Sequence, residues 1–307
     1  MINTVRSLRP VDALIIAFLI LLSGIDLFYV SAEQDLPLLL TFNLVACVGI
    51  IAVARWESSG AAIRSIHTWY PVVAIFLVFK EMYVIIQSQP RQDWDDLLII
   101  ADRWLFGTDP TVWFMNFSTP WLTELLQISY VSYYFLMLAV GIELFARKDH
   151  DNFSYVLFVI VYGFFLSYLG YLAFPAIGPR FTLHDFGALN TELPGLWLTN
   201  GLRDFVNAGE SIPKDSVDAM MHAQRDAFPS GHTQMTLISM YLAHRFRLRS
   251  RFVIDIFGIL LIISTVYLRY HYVVDLIGGL AFMIFTVWSA PKLVAWWKMI
   301  QMPRSGA

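Results

Sequence analysis

Two side chains near the end of the chain, His271 and Asp275, have the types and the spacing of a catalytic pair. Asp275 follows His271 by four positions, and in a helix this spacing puts an imidazole and a carboxylate on one face within contact distance. A carboxylate that accepts from one ring nitrogen fixes the tautomer and makes the other nitrogen a better nucleophile or base. A pair bonded only for structure would have the same spacing. Because ionisable groups in a membrane span are usually functional, we favour the catalytic interpretation.

A second histidine, His232, follows a turn that could hold an anion. The run Phe228-Pro229-Ser230-Gly231-His232-Thr233 stands immediately before an apolar stretch. Serine is a favoured N-cap, and a helix start offers free backbone N–H groups and the positive end of the helix dipole. A phosphate would fit this turn. A plain serine cap, with His232 as an interfacial polar residue, is the alternative.

Arg180 ends a third polar segment, Phe174-Pro175-Ala176-Ile177-Gly178-Pro179-Arg180. Its guanidinium offers five donors in a planar fork that suits phosphate oxygens, although an ordinary interfacial arginine would look the same. The three segments could act together only if the elements that carry them bring them to one place.

The composition indicates that those elements are membrane helices. Of the 307 residues, 57% are hydrophobic and 15% charged, whereas soluble domains are about 45–50% apolar and about 25% charged. The single Cys47 excludes an intramolecular disulfide, and no nucleic-acid signature is present. Apolar stretches of the length that crosses roughly 30 Å of hydrocarbon recur along the chain. We therefore predict an all-α, polytopic transmembrane bundle of about eight spans at 11–30, 37–55, 67–87, 122–146, 154–174, 231–245, 252–270 and 272–290.

Lysine and arginine residues indicate which span ends face the cytoplasm, because cytoplasmic loops are enriched in them. With the N-terminus inside, an even number of spans puts both termini in the cytoplasm, and the basic residues at the span ends agree with this topology. The apolar run before Val30-Ser31-Ala32 is about 19 residues, longer than a signal peptide's usual 7–15, so we expect an uncleaved first span. This orientation puts 13 of the 21 Lys and Arg residues on the cytoplasmic side: Arg6, Arg9, Arg55, Arg64, Arg147, Lys148, Arg245, Arg247, Arg249, Arg251, Lys292, Lys298 and Arg304.

In this topology the outer ends of spans five to eight lie on one side, so the three polar segments can converge there. The active site is then on the external face, periplasmic or lumenal. Residues 88–121 are also external. The run Leu97-Leu98-Ile99-Ile100 suggests that they include a helix in the membrane interface. We favour the interpretation that the aromatic residues of this segment form a belt that anchors the fold. We interpret the long loop 175–228 as functional. Lys80 and Glu81, inside the third span, are expected to be structural.

Taken together, Pro229-Ser230-Gly231-His232 and His271-x-x-x-Asp275 resemble the type 2 phosphatidic acid phosphatase superfamily. The resemblance covers about residues 122–290 and implies a six-helix catalytic core there, between N-terminal helices with an external interfacial segment (1–121) and a cytoplasmic tail (291–307). It implies that His271 is the nucleophile that forms a phosphohistidine, oriented by Asp275, and that His232 protonates the leaving oxygen. It also implies that Ser230, the Gly231 amide and Arg180 bind phosphate, and that no metal or other cofactor is needed.

Two cations of the usual superfamily pattern are absent from this chain. The first motif usually has a Lys seven residues before the Arg and a Pro after it, where this chain has Ala173 and Phe181. The third motif usually has an Arg after its Ser, but Thr265 follows Ser264 here. We expect Arg269, two residues before His271, to substitute as a phosphate-binding cation. Arg225, Lys214 and Arg203 are the alternatives.

The reduced pattern resembles the inositol-phosphorylceramide synthase and sphingomyelin synthase branch, on the segments Gly178-Pro179-Arg180 and Tyr267-Leu268-Arg269-Tyr270-His271-Tyr272. The segment Asp102-Arg103-Trp104-Leu105-Phe106-Gly107-Thr108-Asp109-Pro110 resembles bacterial relatives of that branch. The resemblance implies a lipid phosphotransferase that transfers phosphodiester head groups. The two missing cations agree with this, because a phosphodiester carries one negative charge and needs fewer cations than a dianionic phosphomonoester. A simple phosphatase acting on phosphatidate or polyprenyl phosphate is the alternative.

Two further classes are less consistent with the sequence. A lipid transporter or scramblase would need broken helices near the membrane midplane, whereas the charges cluster at one interface. A haloperoxidase-like oxidase shares the superfamily fold, but a membrane-embedded pocket argues against it. The expected partner is a membrane lipid and not a nucleic acid, and the sequence does not indicate the oligomeric state.

Overall fold

The computed structural model describes residues 7–31, 35–90, 93–214, 216 and 218–302 of the chain. Arg6 and Arg304 of the topology prediction, and Ala32 of the candidate cleavage site, lie outside the described residues. Within the described ranges the chain forms helices and no strand, with two short 3-10 turns at Glu57–Ser59 and Met115–Phe117. The α-helices are α1 (Pro10–Tyr29), α2 (Leu36–Arg55), α3 (Ala61–Ser88), α4 (Asp95–Phe106), α5 (Pro110–Phe114), α6 (Pro120–Val131), α7 (Tyr133–Ala146), α8 (His150–Ala173), α9 (Pro179–Thr182), α10 (Leu189–Glu192), α11 (Thr199–Gly209), α12 (Ala219–His222), α13 (Gly231–Arg245), α14 (Arg251–Tyr267) and α15 (Val273–Gln301).

Every predicted span coincides with a helix or with a pair of helices. Among the described residues, α1, α2, α3, α8 and α15 are long and apolar enough to cross a membrane, and α6 with α7 makes a sixth span if the pair is counted as one. Helices α13 and α14 have 15 and 17 residues. At about 1.5 Å per residue, both are shorter than the roughly 30 Å hydrocarbon layer. The all-α, polytopic prediction is confirmed, but two of its eight spans are shorter than a full crossing.

Local sequence explains where several helices begin and bend. Proline occupies the first turn of α1 and of α6, where its missing N–H costs nothing. The bend of 46° between α6 and α7 falls at Ser132. The Ser132 hydroxyl donates to the Ser129 carbonyl (2.6 Å), and the Ser129 hydroxyl donates to the Leu125 carbonyl (2.8 Å). Serine hydroxyls that bond to backbone carbonyls in this way often bend helices.

The chain divides into two compact units. The first comprises residues 1–91, 153–166 and 285–307. In its described part, Glu81 is buried and accepts from Asn43 (2.6 Å), whereas Lys80 is exposed. The buried His67 contacts Asp12 and Glu57 at 2.9 and 3.0 Å. The hydrogen bond to Asn43 agrees with the structural role expected of Glu81, which stays a prediction.

The second unit, residues 92–152 and 167–284, contains both candidate catalytic histidines. Its loops are held by small apolar clusters, one of which joins Leu98, Ala176, Ala227 and Tyr272. Residues 175–228 include four short helices, α9 to α12, which the sequence did not predict. The boundaries predicted at 121/122 and 290/291 remain a prediction.

Candidate functional site

The three polar segments meet in the second unit through their backbones. One hydrogen bond joins each pair of neighbouring segments, so the side chains they carry are held at fixed separations. These bonds run from the Arg180 amide to the Arg269 carbonyl (3.0 Å), from the Ala227 amide to the Ala176 carbonyl (3.1 Å) and from the Ser230 amide to the Asp275 carbonyl (3.0 Å).

The imidazole of His271 is oriented mainly by the backbone. Its Nδ1 lies 2.8 Å from the Ala227 carbonyl, which can only accept, so Nδ1 carries the proton. The neutral ring therefore has its lone pair on Nε2. Burial, with a smaller contribution from the Arg180 charge, lowers the pKa of His271 to about 4, although the Asp226 carboxylate and the Ala227 hydrogen bond act in the opposite direction. A neutral imidazole with a free Nε2 lone pair is the nucleophilic form.

Asp275 lies next to His271, although not by the helical geometry that the spacing suggested. Helix α15 begins at Val273, so His271 precedes the helix instead of sharing a face with Asp275. Asp275 Oδ2 lies 3.4 Å from His271 Nδ1 and accepts from the Tyr272 amide at 2.8 Å. Its Oδ1 is buried and has no hydrogen-bond partner among the described residues. The carboxylate thus places negative charge beside the imidazole while it shapes the turn before α15.

His232 faces His271 and is enclosed by aromatic rings. Its Nδ1 lies 3.4 Å from His271 Nε2, and since that nitrogen holds a lone pair, His232 Nδ1 is the donor. The Tyr130 ring stacks on His232 with centroids 4.6 Å apart, and the Tyr133 ring lies at 4.4 Å. These tyrosines lie on either side of the bend between α6 and α7, which therefore fixes the orientation of His232.

The turn before α13 has the predicted serine cap. Ser230 Oγ accepts from the Thr233 amide at 3.2 Å. A side chain at position 231 would place its Cβ 2.2 Å from the Tyr171 hydroxyl, so any larger residue would have to displace that ring. Gly178 is required for a similar reason, because its φ is +95° and a Cβ would lie 2.7 Å from the Tyr270 carbonyl. The glycines let the segments pack closely around His232 and His271.

Arg180 is buried beside both histidines and has a carboxylate partner. Its guanidinium bonds to Glu210 and, at 3.4 Å, to Asn207 Oδ1. Its Cζ lies 4.9 Å from the centroid of the Tyr270 ring. Burial lowers the pKa of Arg180, which nevertheless stays charged because arginine starts so high. A phosphate that reached this guanidinium would share it with Glu210 or displace that carboxylate.

Arg269, the expected substitute cation, is fully buried and bonds to Glu192 at 2.5 Å. Its Nε and Nη2 have no hydrogen-bond partner among the described residues. The three alternatives all have partners in other places. Arg203 bonds to Asn190 and the Leu193 carbonyl, Arg225 to Asp93 and the Ala223 carbonyl, and Lys214 to Asp204.

Two carboxylates of α4 hold the polar segments of the candidate site, and neither was expected from the sequence to do so. Asp95 accepts from the Ile177 and Gly178 amides at 2.9 and 2.8 Å. Asp102 accepts from the Val273 and Val274 amides at 2.9 and 2.8 Å, and so caps α15. Their i, i+7 spacing, with Leu98 between them, was the signal for a buried face. One face of α4 is therefore packed against the site, whereas Leu97 and Ile100 on the same helix are exposed.

A metal-dependent mechanism would need side chains placed to bind a metal ion. Among the described residues, no group of three or more His, Cys, Asp or Glu side chains is placed to hold a metal ion. The metal-free mechanism that the resemblance implies remains an expectation.

Comparisons with known proteins agree with the resemblance. A PA-phosphatase related-family protein of Dictyostelium discoideum is 26% identical over 229 residues, which are 64% of this chain and 40% of that protein. The chain thus spans about two fifths of the length of this curated relative. No solved structure matches the chain. A family model described as the PAP2 superfamily matches residues 96–289, which include α4 from Asp96 onward and both histidines. This match covers well over half of the chain's residues. The chain therefore belongs to the PAP2 superfamily, that of the type 2 phosphatidic acid phosphatases.

Proposed function

We propose that this integral membrane protein is a lipid phosphotransferase that acts through a phosphohistidine on His271. The observation that carries the proposal is the pairing of the two histidines. The Ala227 carbonyl holds the proton of His271 on Nδ1, and His232 Nδ1 lies 3.4 Å from the free Nε2. A nucleophile and a proton donor therefore face one another in a buried site beside Arg180.

The proposed reaction has two steps. His271 Nε2 attacks phosphorus, the bond from phosphorus to the leaving oxygen breaks, and His232, as the imidazolium that the bound phosphate stabilises, gives one ring proton to that oxygen and becomes neutral. In the second step an alcohol or water attacks the phosphohistidine, and His232 takes the proton from it. Asp275 stabilises the positive charge that develops on the His271 ring.

Substrate binding must separate the two rings. Attack requires a contact of roughly 3–3.5 Å on one side of phosphorus, and proton transfer a hydrogen bond of about 2.6–3.2 Å on the other. Both cannot fit within the 3.4 Å between the two nitrogens. We infer that a bound phosphoryl group moves His232 away from His271.

The charge balance favours a phosphodiester as the substrate, as in head-group transfer of the inositol-phosphorylceramide synthase type. Arg180 is paired with Glu210, and Arg269 with Glu192, so each expected phosphate-binding cation already has a carboxylate partner. A site with little net positive charge suits one negative charge better than two. The name of the relative, a PA-phosphatase related-family protein, favours the second candidate, a lipid phosphate phosphatase.

Rapid quench with a phosphorus-labelled lipid tests the covalent step. We expect an acid-labile, base-stable adduct on the protein, which should be absent from His271→Ala. Full activity in a folded His271→Ala protein would end the mechanism. Labelled phosphodiester and phosphatidic acid, each with an acceptor alcohol or with water alone, separate the transferase from the phosphatase.

A further inference from the structure

Three polar side chains from three helices meet inside the first unit. Asp26 lies on α1, Asn43 on α2 and Glu81 on α3, and all three are buried, with at most 3% of each side chain's residue exposed. Each of these helices is long and apolar enough to span a membrane. Ionisable groups in such helices are costly and usually have a function.

Asn43 uses both of its amide protons inside the cluster. Its Nδ2 donates to Glu81 Oε1 at 2.6 Å and to Ser23 Oγ at 3.1 Å, and Ser23 Oγ itself donates to the Leu19 carbonyl at 2.9 Å. The carbonyl end of the amide, Asn43 Oδ1, is buried and has no hydrogen-bond partner among the described residues. This oxygen can only accept, so it needs a donor or a cation.

The carboxyls of Asp26 and Glu81 are equally short of donors. The two side chains lie within hydrogen-bonding distance of one another. Asp26 Oδ1, Asp26 Oδ2 and Glu81 Oε2 are buried, and no donor reaches them from the part of the chain that the structure describes. Two ionised carboxylates can only accept and repel one another at this distance. The pair therefore needs a shared proton or a bound cation.

A bound cation satisfies the cluster more fully than a shared proton does. One proton between the carboxyls engages one oxygen of each, and it leaves the second Asp26 oxygen and Asn43 Oδ1 without partners. Hard cations such as Ca²⁺ and Mg²⁺ take carboxylate and amide oxygens together as ligands and complete their coordination with water. Two carboxylates also balance the charge of one divalent ion.

We propose that Asp26, Asn43 and Glu81 bind a hard divalent metal cation of the Ca²⁺ or Mg²⁺ type, which joins α1, α2 and α3. The reaction proposed for His271 does not use this ion. Asp26 is three residues before the end of α1, Asn43 seven after the start of α2 and Glu81 seven before the end of α3. At about 1.5 Å per residue, the site is about 5–10 Å from these helix ends, so an ion can enter without crossing the whole bilayer.

Thermal unfolding of the full chain in phosphatidylcholine nanodiscs tests the site. The protein is treated with EDTA, dialysed and then titrated with CaCl₂, MgCl₂ or, at equal ionic strength, NaCl. An ion that binds only the folded state raises Tm as its concentration rises. We expect Ca²⁺ or Mg²⁺ to raise Tm by about 4 °C or more, and NaCl to have a smaller effect.

Two isosteric variants assign that rise to the cluster. Asp26→Asn and Glu81→Gln each keep the shape of the side chain but remove one ligand charge, so each should weaken the ion's affinity by about tenfold or more. Without the ion, their Tm should equal or exceed that of the parent, because a buried repulsion is relieved. Asp35→Asn is the matched control, since Asp35 is exposed and makes no capping hydrogen bond at the start of α2.

Direct binding keeps the test decisive if a variant does not fold. Equilibrium dialysis of the parent with radioactive calcium should show one saturable site per chain, which unlabelled Ca²⁺ or Mg²⁺ displaces. Absence of saturable binding, a rise in Tm that NaCl matches, or equal rises in the parent and both isosteric variants would each overturn the proposal. A Tm that ignores every ion but falls as pH rises would assign the contact between the carboxyls to a shared proton instead.

Discussion

The backbone carbonyl of Ala227 holds the proton of His271 on Nδ1, and so leaves Nε2 free as the nitrogen that we propose to be the nucleophile. In a serine-protease triad the carboxylate fixes the tautomer of the histidine, so its loss costs orientation as well as charge. Here the hydrogen bond to Ala227 (2.8 Å) is shorter than the contact with Asp275 (3.4 Å). The two effects of the carboxylate should therefore be separable in this protein.

Asp275→Asn tests that separation. An asparagine can still accept from the Tyr272 amide, so the turn should persist while the negative charge beside the imidazole is lost. We expect the rate of phosphohistidine formation to fall about 10- to 100-fold, which is the value of one charge-assisted hydrogen bond. Single-turnover kinetics measures it. A loss as large as that of His271→Ala would show that Asp275 also sets the tautomer.

The burial of His271 sets an expectation for pH dependence. Its folded-state pKa of about 4 lies below the usual 6.5, so the neutral nucleophile persists as pH falls and is lost only near pH 4. With a phosphodiester substrate, which stays ionised over this range, the His271 limb of kcat/KM should fall near pH 4. A rate of phosphohistidine formation that already fell as pH dropped through about 6.5 would contradict the buried geometry.

Glu210 offers a test of how charge selects the substrate. Glu210→Gln leaves Arg180 without a carboxylate partner, so binding of dianionic phosphomonoesters should improve relative to phosphodiesters. We expect the ratio of their kcat/KM values to rise about fivefold or more, a change of about 1 kcal/mol. Glu192→Gln is the matched control for Arg269. If it changed the ratio as much as Glu210→Gln, Arg269 would be a second phosphate-binding cation.

The sequence indicated which side chains to consider for the candidate site, but not the contacts that they make. Ser230 caps α13 as its residue type predicts, because capping depends on local geometry. The contacts of Ala227 and Glu210 could not be inferred, since a backbone carbonyl carries no signal in the sequence and Glu210 lies 30 positions from Arg180. Such pairings depend on tertiary structure.

At the scale of elements, α4 holds the candidate site together although it carries none of the proposed catalytic side chains. Asp95 accepts from the Ile177 and Gly178 amides and from the Tyr272 hydroxyl (2.8 Å), and so joins the Gly178 turn to the segment before α15. Asp102 caps α15. Burial raises the pKa of both carboxyls, so their hydrogen bonds to the backbone must offset the cost of burying charge. Positioning of His271 thus depends on a helix about 170 residues earlier in the chain.

Asp102→Ala should loosen the start of α15. Losing a helix cap costs about 0.5–2 kcal/mol, so we expect a thermal midpoint lower by a few degrees and a lower kcat, with KM little changed. Asp102→Asn, which keeps one acceptor, should recover part of kcat. Asp96→Ala, on the exposed side of α4, serves as control. Unchanged kcat in Asp102→Ala would leave the cap a purely structural feature.

The long helices were predictable and the short ones were not, for a physical reason. An apolar run near 20 residues can satisfy its backbone only as a helix in the membrane. Helices shorter than about 12 residues are not stable alone and depend on tertiary contacts. The start of α11 shows this, because Glu124 from α6 accepts from the amides of residues 196–199. Glu124 lies more than 70 positions before them, beyond any local pattern.

At the scale of the whole molecule, the orientation in the membrane decides which pool of lipids the site can reach. The structure places Arg180, His232 and His271 in one unit, with the loops of 175–228 around them. The distribution of Lys and Arg predicts that these loops are external and that the basic loop 245–251 is cytoplasmic. Arg247 and Arg249 of that loop lie between α13 and α14, at the end of α13 opposite to His232.

Reporter fusions test the orientation directly. An external reporter, such as alkaline phosphatase, should be active when fused near Glu210 and inactive near Ser250, and a cytoplasmic reporter should give the reverse pattern. Because α13 has only 15 residues, it separates the two positions by about 22 Å and requires some thinning of the bilayer or burial of its ends in protein. The fusions therefore also decide whether α13 crosses. An external reporter active at both positions would show that α13 does not span, and the reverse of the expected pattern would move the active site to the cytoplasmic face.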